Sequence, residues 1–135
     1  MATTFKISEA AAIGLHAAVY LAVHQKRVCQ AGEIAQNLSV SEAHLVKVLQ
    51  RLTRAGLVEP VRGRHGGYRL AQPAREITLL KVFEAIEGRL TVAKCLFRRQ
   101  VCDGRQCILH GLIKNMNSQA FAYLNKTTLA KLAVM

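Results

Sequence analysis

Hydrophobic positions along the chain fall into blocks of helical spacing separated by short polar connections. Ser8 can cap a helix running from Glu9 to about His24; EAAAIGLHAAVYLAVH is apolar nearly all round, as expected of a helix in the centre of a domain. After the polar QKRVCQ, Ala31–Leu38 reads as a short helix burying Ile34, Ala35 and Leu38. Ser39 and Ser41 can each cap the next helix, from about Glu42 to Ala55, where Leu45, Val48, Leu49 and Leu52 follow the i, i+3, i+4, i+7 rule. Gly56 suits a helix end, and Leu57 then packs back. In LVEPVRGRHGGYRLAQP the pattern changes to two short strands, Leu57–Val61 and Gly67–Leu70, around a turn carrying Arg62, Arg64 and His65. A helix-turn-helix followed at once by a basic hairpin predicts a winged helix.

Thr78 starts a further helix, ITLLKVFEAIEG, which Gly88 ends. From Cys107 to about Asn125 the spacing predicts a longer helix, roughly 28 Å at about 1.5 Å per residue. Its apolar stripe is Leu109, Leu112, Ile113, Met116, Ala120, Tyr123 and Leu124. One small domain has no obvious place to bury such a stripe, so it predicts pairing with a second copy. Thr127 or Thr128 caps a last short helix, LAKLAV. The expected fold class is mainly α with a small β-hairpin wing. It comprises a winged helix-turn-helix over 1–88, a cysteine-rich loop over 89–107, and a dimerisation helix with a short closing helix over 108–135.

Composition refines this outline. A chain of 135 residues, 51% hydrophobic but only 5% aromatic and without Trp, builds one domain on an aliphatic core. Nineteen Lys and Arg against eight Asp and Glu give a net charge of +11, which attracts polyanions. The basic residues spread over 47–105 and no lipidation signal is visible, so nucleic acid is favoured over a membrane surface. The apolar run of the first helix is shorter than the ~20 residues of a membrane span and lacks a clear signal-peptide cleavage site. The expectation is a cytoplasmic protein in a reducing compartment.

The outer face of Glu42–Ala55 carries His44, Lys47, Gln50, Arg51 and Arg54, with Glu42 its only acid. An ordinary solvated face would mix its charges. Joined by Arg62, Arg64 and Arg69, this one suits phosphate oxygens and guanine edges. The DNA-contacting set expected is Ser41, His44, Lys47, Gln50 and Arg51 from the second helix, in the major groove, with Arg62, Arg64 and His65 on the wing.

CLFRRQVCDGRQCILH, residues 95–110, holds three of the four cysteines, Cys95, Cys102 and Cys107, followed by His110. Cys107 and His110, at i and i+3 on the first turn of the expected helix, point to one side. A helix N-terminus favours a thiolate at Cys107, and the surrounding Lys94, Arg98, Arg99 and Arg105 favour an anionic assembly. Such ligands suit zinc or an iron–sulfur cluster; incidental cysteines in a metal-free loop are the bland alternative. Cys29, standing apart, reads as a small partly buried residue.

With SVSEAHLVKVLQRLTRAGLVEPVRGRHGGYRLAQPAREITLLKVFEAIEG, the cysteine segment and YLNKTTLAKL, the chain resembles the Rrf-two superfamily of bacterial transcription regulators, IscR- and NsrR-like, over nearly all of residues 5–132. The resemblance implies a winged-helix homodimer that crosses its long helices and binds double-stranded DNA at a palindromic operator. It implies that Cys95, Cys102 and Cys107 ligate an iron–sulfur cluster controlling DNA affinity. The fourth ligand differs between branches. In one it is a histidine three residues after the last cysteine, where His110 stands; in another an acidic residue on the partner's first helix, matched here by Ala12; in a third a histidine of that helix, matched by His16. His110 is favoured, because its spacing from Cys107 needs no partner chain, with His16 the alternative. The cofactor expected is a cluster, 2Fe-2S in preference to 4Fe-4S, with zinc as the alternative.

The leading expectation is thus a cluster-dependent regulator, more a repressor than an activator, sensing redox, nitric oxide or iron–sulfur status. One alternative is a zinc-stabilised or cluster-free winged-helix regulator; another is a small electron-transfer or thiol-redox protein docking an acidic partner. No nucleophile–base pair, phosphate loop or paired carboxylates suggest an enzyme or a small-molecule substrate.

Overall fold

The computed structural model describes residues 5–90 and 107–134, together with Cys95, Phe97, Arg99, Val101, Asp103 and Arg105. Helix α1, Glu9–Val23, is the axle of the fold, capped by the Ser8 hydroxyl, which accepts from the Ala11 N–H. Ala11, Ile13, Ala17, Ala18, Leu21 and Ala22 are all buried, because the helix is packed from several sides by α2, α3, α4 and α6. Small residues make that possible: a Cβ on Gly14 would sit 2.0 Å from Cδ1 of Ile86.

Helices α2, Ala31–Leu38, and α3, Glu42–Arg54, are joined by a tight turn in which Ser39 takes a left-handed conformation. Ser41, rather than Ser39, caps α3 by accepting from the His44 N–H. Leu45, Val48, Leu49 and Leu52 are buried as their spacing requires, each stabilising the domain by about 2 kcal/mol through burial. The helix closes with a pair of bonds that only a left-handed residue permits. Gly56, at φ +76°, donates to Thr53, and the Leu57 N–H reaches back to the Leu52 carbonyl.

Strands β1, Val58–Val61, and β2, Gly67–Leu70, pair antiparallel, with Val58 opposite Leu70 and Val61 opposite Gly67. On the other edge of β2, Cys29 forms a bridge: its N–H donates to the Tyr68 carbonyl at 2.9 Å, and the Tyr68 N–H donates back at 2.7 Å. Gly67 makes this approach possible, since a Cβ there would lie 2.3 Å from the Cys29 carbonyl oxygen. The hairpin is thus anchored to the connection entering α2.

A short 3-10 turn, Ala74–Glu76, leads into α4, Leu79–Glu87, capped by Thr78 and ended at Gly88 with φ +85°. Helix α5 spans Leu112–Lys126 and α6 spans Leu129–Ala133, capped by Thr128. Thr78 and Thr128 form an isolated bridge, in which Leu79 donates to Thr127 and Leu129 donates to Ile77. The start of α4 and the end of α5 are thereby locked together. Midway along α5, Asn117 is buried to 1% exposure and its Oδ1 accepts from the Phe5 N–H. Phe5 in turn packs on Phe83 of α4, their ring centroids 5.5 Å apart.

The expected long helix is corrected at its start. It begins at Leu112, not Cys107, because His110 (φ +46°) and Gly111 (φ +79°) both adopt left-handed backbone that a right-handed helix cannot contain. Cys107 and His110 belong instead to a turn in which the His110 N–H donates to the Cys107 carbonyl at 3.1 Å. Ile113 and Leu124 face inward, whereas Leu112, Met116 and Tyr123 stay 48%, 45% and 58% exposed. No helix among the described residues is long and apolar enough to cross a membrane.

Candidate nucleic-acid interface and cysteine segment

The arrangement of α2 and α3 rests on a polar brace behind them. Arg27 forms a two-pronged bond to Glu33, with both N–O distances 2.8 Å, while Tyr20 donates to the same carboxylate at 2.8 Å. Glu33 also accepts from the Gln30 N–H, closing the first turn of α2. Arg27 above all, helped by these N–H and O–H donors, lowers the Glu33 carboxyl to about 2. The neighbouring carboxylate raises the Tyr20 phenol above its ordinary value. This brace fixes α1 to α2, and its residues were not singled out from the sequence. The Gln30–Glu33 spacing, that of a capping box, was the signal available.

On the outer side of α3, Ser41, Lys47, Gln50, Arg51 and Arg54 are exposed and His44 is half-buried. Glu42, the one acid, leans back over α2, its carboxylate 3.5 Å from the Cβ position of Gly32. Arg51 is set apart from the others: its Nη1 donates to the Ile86 carbonyl at 3.4 Å. The wing turn, Arg62–Gly63–Arg64–His65, is exposed throughout. It is closed by the Gly66 N–H donating to the Gly63 carbonyl, and a Cβ at Gly66 would collide with the Val61 carbonyl at 2.1 Å. Arg69 does not join the one-signed surface expected of it. Its register places it opposite Glu59, with which it forms an ion pair at 2.6 Å. Among the described residues, acids pair with Arg27 and Arg69, and none pairs with Lys47, Arg62 or Arg64.

In the cysteine segment, Cys95 and Cys107 are half-buried free thiols, and Cys102 lies outside the described residues. The chemistry at Cys107 differs from the helix-dipole effect anticipated. The backbone N–H groups of Leu109 first, then Gly111 and His110, turn toward the sulfur and hold its pKa below the ordinary thiol value. These amides belong to the turn made by the left-handed pair His110–Gly111, in which the His110 N–H also donates to the Cys107 carbonyl. His110 is exposed beside it. Asp103 Oδ1 accepts from the Arg105 N–H, tightening the segment locally.

His16 is exposed on α1 with its Nδ1 2.8 Å from the Ala12 carbonyl, so Nε2 is its outward nitrogen. Among the described residues, no three His, Cys, Asp or Glu side chains converge as a metal-binding group. The donor set at Cys107 and His110 nonetheless fits a thiolate-bound metal, because the thiolate is already favoured there. Cys29 is the opposite case. It is fully buried and desolvation raises its pKa, so it is a packing residue at the base of the wing.

A helix-turn-helix followed by a two-stranded hairpin is a winged helix. The family model for Rrf2, described as iron-dependent transcriptional regulator, matches residues 7–134, and the chain belongs to the Rrf2 family of transcriptional regulators. Protein aau3 of Rhizobium meliloti is 49% identical over 77 residues, 57% of this chain and 50% of that protein. The HTH-type transcriptional regulator IscR of Vibrio atlanticus is 33% identical over 113 residues, 83% of this chain and 65% of that one. The chain thus spans half to about two thirds of the length of these relatives. Among solved structures, CymR, the global cysteine regulator of B. subtilis, superposes with a TM-score of 0.82 at 27% identity, covering 96% of this chain and 97% of CymR.

Proposed function

We propose that this protein is a cytoplasmic, homodimeric regulator of transcription, acting chiefly as a repressor, whose affinity for a palindromic operator depends on an iron–sulfur cluster. The observation that carries the DNA reading is the basic set that pairs with no acid among the described residues: Lys47 on α3 with Arg62 and Arg64 on the wing. Ser41, His44, Lys47 and Gln50 belong to the N-terminal and middle turns of α3, the part of a recognition helix that reaches base edges in the major groove. Arg62, Arg64 and His65 then hold phosphates or the adjacent minor groove. The exposed apolar side of α5 (Leu112, Met116, Tyr123) supports burial against a second copy, which sets two recognition helices at one spacing.

Cys95, Cys102 and Cys107, with His110 as fourth ligand and His16 as the alternative, would hold the cluster, for which 2Fe-2S is favoured over 4Fe-4S. When bound, such a group supplies a redox couple tuned by its ligands, a histidine raising the potential. The chain's contribution is the set of backbone N–H groups that favours the thiolate of Cys107, with Arg99 and Arg105 near it in sequence. DNA affinity is proposed to follow whether residues 89–107 are ligated.

Anaerobic purification with absorption spectroscopy and counts of iron, acid-labile sulfide and zinc tests the cofactor. Coloured protein with matching iron and sulfide, lost in His110→Ala and kept in His16→Ala, is expected. Colourless protein with one zinc per chain would overturn the cluster reading and leave a zinc-stabilised regulator.

A further inference from the structure

We propose that Arg51 is a positioning residue that ties the recognition helix to the root of the cysteine segment, so that the state of residues 89–107 reaches the DNA-binding surface through it. This rests on the regulator reading above. Arg51 stands in the last turn of α3, one residue past Gln50 and turned about 100° from it around the helix axis. Its guanidinium is directed instead to the Ile86 carbonyl, across 35 residues of sequence. That carbonyl lies in the last turn of α4, among the four that have no partner within their own helix. A cation there also meets the negative end of the helix dipole.

Ile86 is a junction of three helices. Its backbone holds Arg51 of α3, while its side chain fills the space that Gly14 of α1 leaves open, beside Val48 of α3. Two residues later the chain leaves α4 at Gly88, whose left-handed φ of +85° turns it out of the helix. The exit is pinned twice more. The Leu90 N–H donates to Glu84 Oε2 at 2.8 Å, and the Ser8 hydroxyl donates to Glu87. From Leu90 the chain runs on to Cys95, Cys102 and Cys107.

The chain leading to Cys95 leaves α4 at Gly88, so a change of state at the cysteines reaches the last turn of α4 along it. Loosening that turn withdraws the acceptor of Arg51 while leaving the buried leucines of α3 in place. The recognition helix is then free to tilt at its C-terminal end. The segment's state becomes a shift in helix orientation, not a loss of fold.

The test uses full-length wild type, Arg51→Gln, Arg51→Lys and Lys47→Ala. Each is prepared anaerobically as purified and again after chelator treatment. Each is titrated, over a range of salt, onto a duplex that the wild type selects from a random-sequence pool. Hydrogen exchange at the Gly88 and Leu90 amides is followed in the chelator-treated samples. The wild type is expected to bind with about a tenfold difference between its two states, and Arg51→Gln to compress that to roughly threefold or less. Its salt slope should stay at the wild-type value, Gly88 and Leu90 should exchange faster, and Arg51→Lys, which keeps a donor, should recover part of the difference. Lys47→Ala should keep the difference between states but lose about one unit of salt slope. An Arg51→Gln protein with the difference intact and the slope lowered by about one unit would make Arg51 a phosphate contact and overturn the proposal. Equal affinity of the two states in the wild type would also overturn it. That result, visible before any variant is compared, would identify the cluster-control reading as the part that failed.

Discussion

Replacing Gly67 by alanine tests how the wing is held. The added Cβ would lie 2.3 Å from the Cys29 carbonyl oxygen, 2.7 Å from its carbon and 3.0 Å from the Gln30 nitrogen, all backbone atoms that no side-chain rotation can move aside. Relief requires β2 to part from Cys29, breaking the 2.9 Å and 2.7 Å bonds between Cys29 and Tyr68. The two bonds contribute about 2 kcal/mol net, and leaving the groups of a fully buried residue without partners adds about 1 kcal/mol more, so the cost is about 3 kcal/mol. For a chain of this size that corresponds to a melting temperature lower by roughly 10 °C. Gly56→Ala is the control. Its φ of +76° is strained for alanine but nothing lies within 4 Å of the new Cβ, so it should cost only about 1–2 kcal/mol. Urea denaturation of both variants, followed by circular dichroism, measures the difference. Equal destabilisation would refute the close-approach argument and reduce Gly67 to an ordinary conformational preference. The displaced hairpin should also weaken DNA binding in Gly67→Ala but not in Gly56→Ala.

Three further outcomes follow from named residues. Arg62→Ala should lower the salt dependence of DNA binding by about one unit of slope with little effect on stability, as read by anisotropy titrations against salt; an unchanged slope would remove the wing tip from the interface. The Glu33 carboxylate, held at about 2, contributes stability that is complete above its unfolded pKa and is lost as pH falls toward 2. Glu33→Gln, measured by denaturation across the acid range, should therefore be less stable than wild type near neutral pH, by about 1 kcal/mol after allowance for solvent screening, and the gap should close in acid. In chelator-treated protein, Cys107 should alkylate readily near neutral pH and Cys29 only after unfolding. Mass spectrometry of the modified peptides distinguishes them, and equal rates would contradict the assigned environments.

The helices of the winged-helix part could be read from the sequence almost to the residue, because local rules agree there. Ser39 or Ser41 can cap, Leu45, Val48, Leu49 and Leu52 share one face, and Gly56 ends the helix; only the choice of Ser41 as cap came from the structure. The start of α5 misled for an identifiable reason. Leu109, Leu112 and Ile113 continue an apolar stripe, but Gly111 directly before Leu112 marks the left-handed break, and the periodicity outweighed it. Long-range pairings were out of reach: the Cys29–Tyr68 bridge, the Thr78–Thr128 bridge and the Arg51–Ile86 bond join residues whose spacing in the chain carries no signal. The Arg69–Glu59 pair was within reach, since any register of that hairpin through Val61 and Gly67 sets the two opposite each other. At the candidate site, the basic residues of α3 and the wing were apparent from charge alone. The lowered pKa of Cys107 was not, because it is caused by backbone amides of a turn that depends on two left-handed residues.

One chain is proposed to combine a DNA-binding surface with a ligand-holding segment that governs it. The most direct test is a single anaerobic preparation of wild-type protein, divided in two, with one half stripped by chelator and both halves titrated at the same salt onto the same selected duplex. Affinities differing by about tenfold or more are expected, within the range of ordinary allosteric coupling. Identical binding curves from a sample carrying iron and sulfide would contradict it.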